Sequence, residues 1–471
     1  MSGSVLGGKE GTKHLTSFIL IAFLAIATIA VGSKIREAGA SNTIRILSDG
    51  SISPQDAPIT TINKTVYTLT DDVADSISVE RSNILIKGAG YTVTGDGIGN
   101  GFTLISVHDV TIENTIVQNF TYGIYTETSS SISIRNNSLT SNVYDGIGIF
   151  YSTFTSVHDN AIVRNEYDGI EVYNSSNNNI YGNYIAENVW YGMGLYEYST
   201  GNITENRIVG NYGGIELSLS SNNTIFHNDF INQTIQASTE FSTAKWNNDY
   251  PSGGNYWNDY IGTDVYSGPG QDQFGSDGIG DTPYNCSENN QDTYPLMQVF
   301  TNIAVQRVLP GKNIVGQGYN VSIEVRVENQ GWEPKTTNIT FYINTTVLST
   351  YTNLAMTGRN QTTLTVTWQT DAYNKGNYTA RVLADTVPSE TDITDDNCTW
   401  IVHVGVPGDV SGSTQGVYDK KCDMKDVAYL VMLFNTKPAS PNWNPNADVD
   451  NNAVVNMKDI AIAITNFNQH E

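Results

Sequence analysis

Between Thr111 and Asn232 the chain repeats itself every 23 residues, with one 22-residue step. One asparagine series runs Asn114, Asn137, Asn160, Asn183, Asn206 and Asn228; a second runs Asn119, Asn142, Asn165, Asn188 and Asn211. Between them lies an apolar series, Ile116, Leu139, Ile162, Ile185, Ile208 and Phe230, and a glycine series follows at Gly123, Gly146, Gly169, Gly192 and Gly214. A period of this length marks a repeat architecture. Segments such as Gly169-Ile170-Glu171-Val172-Tyr173 have strand character, and Asn and Gly punctuate them as turns do. No segment of the repeat has room for an amphipathic helix of ordinary length. The spacing therefore predicts a right-handed parallel β-helix, three short strands to the turn, with turns about 4.8 Å apart. Ile and Leu at equal offsets would stack into a core. Asn at the turns would bond backbone above and below, satisfying groups that are costly to bury unpaired. Gly would take turn positions that strain other residues.

Composition narrows the function. The net charge is −24 at pH 7, which argues against nucleic acid, whose phosphates attract Lys and Arg. Only 15% of residues are charged, against a typical ~25%, and Asn, Ser, Thr and Tyr supply the polar surface instead. Three cysteines, Cys286, Cys398 and Cys422, cannot make a disulfide framework. Residues 1–40 read as a signal peptide or signal anchor: Leu15 to Ser33 is uncharged and mostly apolar, Lys9 and Lys13 precede it, and Ala38-Gly39-Ala40 offers a small-residue cleavage site. The rest is then exported, to the cell surface or beyond, held by a single N-terminal membrane segment if that segment stays uncleaved. Asn-x-Ser/Thr sites, among them Asn63, Asn174 and Asn320, permit glycosylation.

Residues 41–56 read as a linker and 57–298 as the β-helix with a closing segment. That segment holds Gly253-Gly254-Asn255-Tyr256-Trp257-Asn258-Asp259-Tyr260, then Asp277-Gly278-Ile279-Gly280-Asp281-Thr282-Pro283-Tyr284, and ends on Tyr294-Pro295-Leu296-Met297. Repeats followed by this ending resemble the NosD-like β-helix family common in archaeal surface proteins, over about 80–298. Over 300–404, Val321, Ile323, Val325 and Val327 alternate with polar residues, as do Leu364, Val366 and Trp368, and Ile339, Phe341 and Ile343. This predicts an antiparallel, immunoglobulin-like β-sandwich. Val315-Gly316-Gln317-Gly318-Tyr319, Val327-Glu328-Asn329-Gln330-Gly331 and Lys375-Gly376-Asn377-Tyr378 resemble CARDB domains, which are adhesion-related modules. Over 405–471 a second repeat appears: Met424-Lys425-Asp426-Val427 recurs as Met457-Lys458-Asp459-Ile460, each an amphipathic helix after an acidic loop.

Those loops carry the sharpest metal signal. Asp448, Asp450, Asn452 and Asp459 fall at positions 1, 3, 5 and 12 of a calcium loop, with the Val454 carbonyl at 7. In the first loop Asp409, Ser411, Asp419 and Asp426 take positions 1, 3, 5 and 12, with an insertion between Ser411 and Asp419. The pattern resembles a type I dockerin, a small helical module with EF-hand-type loops. The resemblance implies calcium as cofactor, and a cohesin-like partner contacted through Met424, Lys425, Met457 and Lys458. The alternatives are an acidic loop that only caps a helix, and helices that dock on each other and on the sandwich. Ala453 stands where Gly or Asn would ease a left-handed turn.

On the β-helix, Asp145 and Asp168 share one offset a turn apart, a spacing near that of a retaining carboxylate pair. The equivalent residues are Tyr122, Tyr191 and Gly213, and no Arg or Lys stacks nearby as a lyase base, so solvated turn carboxylates are the plainer reading. Tyr144, Tyr167, Trp190 and Tyr212 form a stripe beside them, either a platform for sugar rings or aromatics covering the edge of the turns. Copper, which the NosD resemblance implies, wants His, Cys or Met clusters; His108 and His158 are out of register and Cys286 stands alone. Two functions are therefore expected. The first is non-catalytic adhesion or scaffolding, with surface glycan or polysaccharide contact on the β-helix. The second is a polysaccharide hydrolase or lyase tethered by the dockerin-like module. A copper-binding maturation factor stands behind both.

Overall fold

The computed structural model describes residues 43–197, 199–287 and 289–471, so the N-terminal apolar run lies outside the described residues. The repeat forms a parallel β-helix of three sheets, with 10, 10 and 8 strands. Each turn contributes one strand to each sheet in sequence, for example Tyr122–Glu127 to the first, Ser133–Arg135 to the second and Ser138–Thr140 to the third. Strands pair in register with the turn before and after: Ile124 with Ile147, Ile134 with Val157, Leu139 with Ile162. The core is a set of such columns. The third sheet stacks Val93, Val117, Leu139, Ile162, Ile185, Ile208, Phe230 and Trp257, all sealed from solvent.

Asparagine columns satisfy the turns as expected. From Asn137 through Asn160, Asn183, Asn206, Asn228 and Asn255, each Oδ1 accepts from a backbone N–H of the preceding turn at 2.9–3.1 Å. A second column runs Asn142, Asn165, Asn188, Asn211 and closes on Gln233. A serine column unread in the sequence, Ser129, Ser152, Ser175, Ser199, Ser220 and Ser242, does the same work after the first sheet.

Three expectations are corrected. The first copy of the repeat is displaced by one residue. Thr115, Val117 and Phe120 stand under Asn137, Leu139 and Asn142, so Asn114, Ile116 and Asn119 are not in those columns. Asn114 and Asn119 are exposed turn residues with φ of 55° and 60°. The glycine series is not there for backbone freedom. A Cβ on Gly146 would lie 2.5 Å from Ile162 Cγ2 and 2.8 Å from the Gly169 carbonyl, so the next turn leaves no room for a side chain. The left-handed turn positions belong to other residues, such as Ser141, Arg164 and Glu187. Finally, the expected linker is already structure: Ile44–Ile46 pairs in parallel with Ile77–Val79, and Ile46 is fully buried.

The closing segment caps the column end. Trp257 stacks on Phe230 at 4.4 Å, and its indole N–H donates to buried Asp292, which also accepts from the Asn255 backbone. A sandwich follows. A three-stranded sheet (Ile303–Pro310, Asn320–Asn329, Asn360–Gln369) faces a five-stranded one, and Val321, Ile323, Val325, Val327, Ile339, Phe341, Ile343 and Trp368 fill the space between. It is fastened to the β-helix by Arg359, whose guanidinium donates to Glu205 at 2.6 Å and Asp159 at 3.0 Å. The two C-terminal helices, Met424–Met432 and Met457–Thr465, each begin with a capping box, Asp423 with Asp426 and Asn456 with Asp459.

Candidate functional site

Residues of the first sheet that point outward build a carboxylate and tyrosine cluster. Asp145 and Asp168 lie one turn apart as expected, but neither is solvated: both are fully buried. One oxygen of each has a structural task. Asp145 Oδ1 accepts from Asp168 N, and Asp168 Oδ1 from Tyr191 N, both at 2.8 Å. The other oxygens face the outer cluster. Asp168 Oδ2 accepts from the Tyr196 hydroxyl at 3.1 Å, and that hydroxyl lies 3.0 Å from Glu216 Oε2. Asp145 Oδ2 and Glu171 Oε2 are buried, and the two carboxyls face each other, so a proton on one can bridge to the other. Burial, then the neighbouring charge of Glu171, raises the Asp145 carboxyl well above its ordinary range; burial also carries Asp168 well above it, and raises Glu171 and Glu216.

Glu171, Glu216 and Tyr196 escaped the sequence reading. The signal was in the register. One outward column reads Tyr125, Gly148, Glu171, Gly194, Glu216, so two glutamates alternate with glycines that make room for rings. A Cβ on Gly194 would lie 2.4 Å from the Tyr196 ring. Unlike Asp145 and Asp168, the two glutamates are half-buried and reach solvent.

The aromatic stripe is continuous. Tyr144 and Tyr167 stack at 4.4 Å, Tyr167 and Trp190 at 6.1 Å, and Trp190 and Tyr212 at 4.8 Å, with interplanar angles of 18° or less. Because the rings stack on one another, their faces are mutually covered; Trp190 and Tyr212 are the exposed members of the stripe. Tyr212 ends the stack. Burial and adjacent carboxylates push the Tyr167 hydroxyl up to about 12.

In the second acidic loop, ligand oxygens of Asp448, Asp450 and Asp459 lie within 4.8 Å of one another. Asp448 accepts from Asn452 N and Ala453 N, Asn452 Oδ1 from Val454 N, and Asp459 from Asp450 N and Asn456 N. Asp450 Oδ1 is a buried oxygen with no partner, an oxygen a cation would occupy. Ala453 does take the left-handed turn, at φ 63°. In the first loop the insertion folds out and returns Asp419, whose N–H donates to Asp409. Asp426 accepts from Val410 N and Ser411 N, and Lys425 pairs with Asp419 at 3.1 Å. Burial raises Asp409 to about 6, and its Oδ2 also lacks a partner. Both loops therefore cap helices, and the second, with its three carboxylates gathered, fits calcium's preference for carboxylate and carbonyl oxygen, whereas the carboxylates of the first are not drawn together in the same way. Met424 and Met457 are exposed, while the module's other side docks on the sandwich through Lys312, which donates to the Asp448 carbonyl at 2.6 Å.

Copper does not fit. Among the described residues His108 holds Asp109, His158 holds Asp159, His227 bonds the Ser252 carbonyl and His403 faces Asn377 and Glu471, and the group of side chains gathered closely enough for a metal, Asp448, Asp450 and Asp459, contains neither histidine nor cysteine. Cys286 and Cys422 are buried. Among the described residues, too, no helix is long and apolar enough to cross a membrane.

No match to a curated protein was found. Among solved structures, the CARDB domain of a Pyrococcus furiosus protein, crystallised in complex with di-metal ions, is 25% identical, covering 22% of this chain and 89% of its own with a TM-score of 0.20. A pectate lyase is 15% identical, covering 39% of this chain and 60% of its own, TM-score 0.30. The A-module of an Azotobacter vinelandii mannuronan C-5 epimerase is 18% identical, covering 39% and 62%, TM-score 0.26. Residues 59–262 match the family model described as periplasmic copper-binding protein (NosD), and residues 305–399 match the CARDB family model, so the chain joins a NosD-like β-helix to a CARDB domain.

Proposed function

We propose that this is an exported surface protein that holds glycan along the first sheet of its β-helix. The C-terminal 405–471 acts as a dockerin-like, calcium-dependent interaction module. One observation carries the glycan reading: half-buried Glu171 and Glu216 stand beside the stripe Tyr144, Tyr167, Trp190 and Tyr212, with no Arg or Lys among the hydrogen-bond partners of the acids. Carboxyl oxygens accept, and phenol hydroxyls donate and accept, as sugar hydroxyls require. The covered ring faces favour edge and hydroxyl contacts, with the end ring, Tyr212, free to stack. Export is supported by the N-terminal apolar run and by the periplasmic family that residues 59–262 match. The test is affinity electrophoresis of the protein through gels containing a panel of polysaccharides. The reading expects retardation by at least one, lost in Trp190→Ala, Tyr212→Ala and Glu216→Gln; no retardation by any of them refutes it.

Calcium is supported by the unpartnered Asp450 Oδ1 within the Asp448, Asp450, Asp459 group. It would be held by those residues with Asn452 and the Val454 carbonyl, and in the first loop by Asp409, Ser411, Asp419 and Asp426. A cohesin-like partner would meet the exposed Met424, Lys425, Met457 and Lys458. A second reading, a polysaccharide hydrolase or lyase, is favoured by the facing carboxyls of Asp145 and Glu171, whose burial shifts both toward the protonated form that a general acid needs. In that case Glu171, which reaches solvent, would meet the sugar, and Asp145 and Asp168 would position it. Reducing-sugar release that is lost in Glu171→Gln would establish this reading over simple binding.

A further inference from the structure

A second recognition site lies on another side of the β-helix, where the sandwich docks. Between the two domains is a cleft of about 830 Å³, well within the ~300–1,000 Å³ of small-ligand sites, which favour domain interfaces. Its β-helix wall is the outward column of the second sheet. His158 and Tyr181, one turn apart, stack on each other at 4.7 Å and 4° and line this wall as an aromatic pair. The sandwich contributes Trp332, whose ring lies 6.0 Å from Tyr184 and whose indole N–H is held by the Glu205 carbonyl.

The electrostatics are nearly balanced. Three carboxylates, Asp159, Glu205 and Glu328, face two guanidiniums, Arg326 and Arg359. Arg359 is already consumed by Asp159 and Glu205, and Glu328 accepts from Gln306. What remains for a ligand is one exposed guanidinium, an imidazole that Asp159 holds through Nδ1, and side-chain amides. Exposed Asn136 and Gln361 bring two of these amides from opposite walls. An amide offers a donor and an acceptor side by side, which matches vicinal hydroxyls. Stacked rings cover one another's faces and offer their edges, which give apolar contact to a sugar ring. A site with no net positive charge does not select a polyanion.

We infer that this cleft binds a neutral oligosaccharide segment of about two or three sugar rings, and that the site exists only while the sandwich is docked on the β-helix. The geometry that keeps it open is specific. A Cβ on Gly182 would lie 2.0 Å from Arg359 Nη2, so glycine at this turn lets the guanidinium reach both acids.

The test is titration calorimetry of the full-length protein with neutral trisaccharides (maltotriose, cellotriose, mannotriose and chitotriose) and with trigalacturonate as the anionic probe. At least one neutral trimer should bind. Gln361→Trp, which fills the cleft from an exposed rim, should weaken it at least about tenfold, and Arg326→Ala should weaken it less, both with unchanged melting temperature. Trp190→Ala and Tyr212→Ala should leave it unaltered, which separates this site from the outer stripe. The proposal is overturned if no neutral trimer binds, if binding survives Gln361→Trp, or if trigalacturonate binds more tightly than every neutral trimer.

Discussion

Asn183 shows what one side chain does in this fold. Its Oδ1 accepts from Asn160 N and Nδ2, and its own Nδ2 donates to the Val157 and Tyr181 carbonyls and to Asn206. Replacing it leaves buried backbone groups on two turns unpaired, each costing about 1–3 kcal/mol. Asn183→Ala should therefore lower stability by about 2–4 kcal/mol in denaturant titration, whereas Asn202→Ala, on the exposed surface, should lower it by less than about 0.5. His227 makes a pH-dependent contribution. It is buried against Phe300 at 4.2 Å, at the junction with the sandwich, and burial lowers its pKa from 6.5 to about 4. Between those values the unfolded chain binds the proton and the folded one does not. The contribution is thus complete above pH 6.5 and is lost as pH falls toward 4. Buried Asp229 and Asp292, raised to about 7, act in the opposite sense, so the whole-protein curve is a compromise. The difference between wild type and His227→Phe isolates the histidine. Relative to the variant, wild type should lose about 2 kcal/mol between pH 7.5 and pH 5. A difference that does not vary with pH would contradict the assignment.

Individual elements were legible in unequal measure. The strands, the asparagine columns, the sandwich alternation and the paired C-terminal helices could all be read, because each rests on a period that the sequence writes many times. The first turn was misread by one residue because the stretch between Phe120 and Gly123 is one residue shorter than that between Asn142 and Gly146, and left-handed Asn114 and Asn119 sit next to the true positions. The burial of Asp145 and Asp168 was not legible. It depends on rings from neighbouring turns, Tyr122, Tyr144 and Tyr196, closing over a sheet face that sequence treats as surface. The cleft was unreadable too, since Arg359 reaches Asp159 across 200 residues. The acidic loops give an element-scale prediction. Ala453 holds φ 63°, so Ala453→Gly should raise the stability of 405–471 by about 1 kcal/mol. Calcium should raise the melting temperature of the same region in the intact protein, and Asp450→Asn should abolish that rise. No calcium response in wild type would leave the loops as helix caps alone.

At the scale of the molecule, the β-helix and sandwich behave as one body because a few contacts join them: Arg359 with Asp159 and Glu205, Arg207 with Glu333, and Phe300 N donating to Asp229. Arg359→Ala leaves two acids facing each other and should free the sandwich. Hydrogen exchange at 330–334 and 203–207 should speed by about tenfold or more, while the sandwich core keeps its protection. Unchanged exchange would show that the other contacts suffice. Everything above the fold depends on turns that lie in register, since only register gathers Glu171, Glu216 and the aromatic stripe on one face. Paired cysteines test it directly. Gln118 and Thr140 are neighbours on adjacent turns of the third sheet, at about 4.8 Å, within reach of a disulfide. Gln118→Cys with Thr140→Cys should cross-link under mild oxidation, and Val117→Cys with Thr140→Cys should not, because Val117 points into the core. Cross-linking of the second pair and not the first would place the turns one residue away from where this account has them.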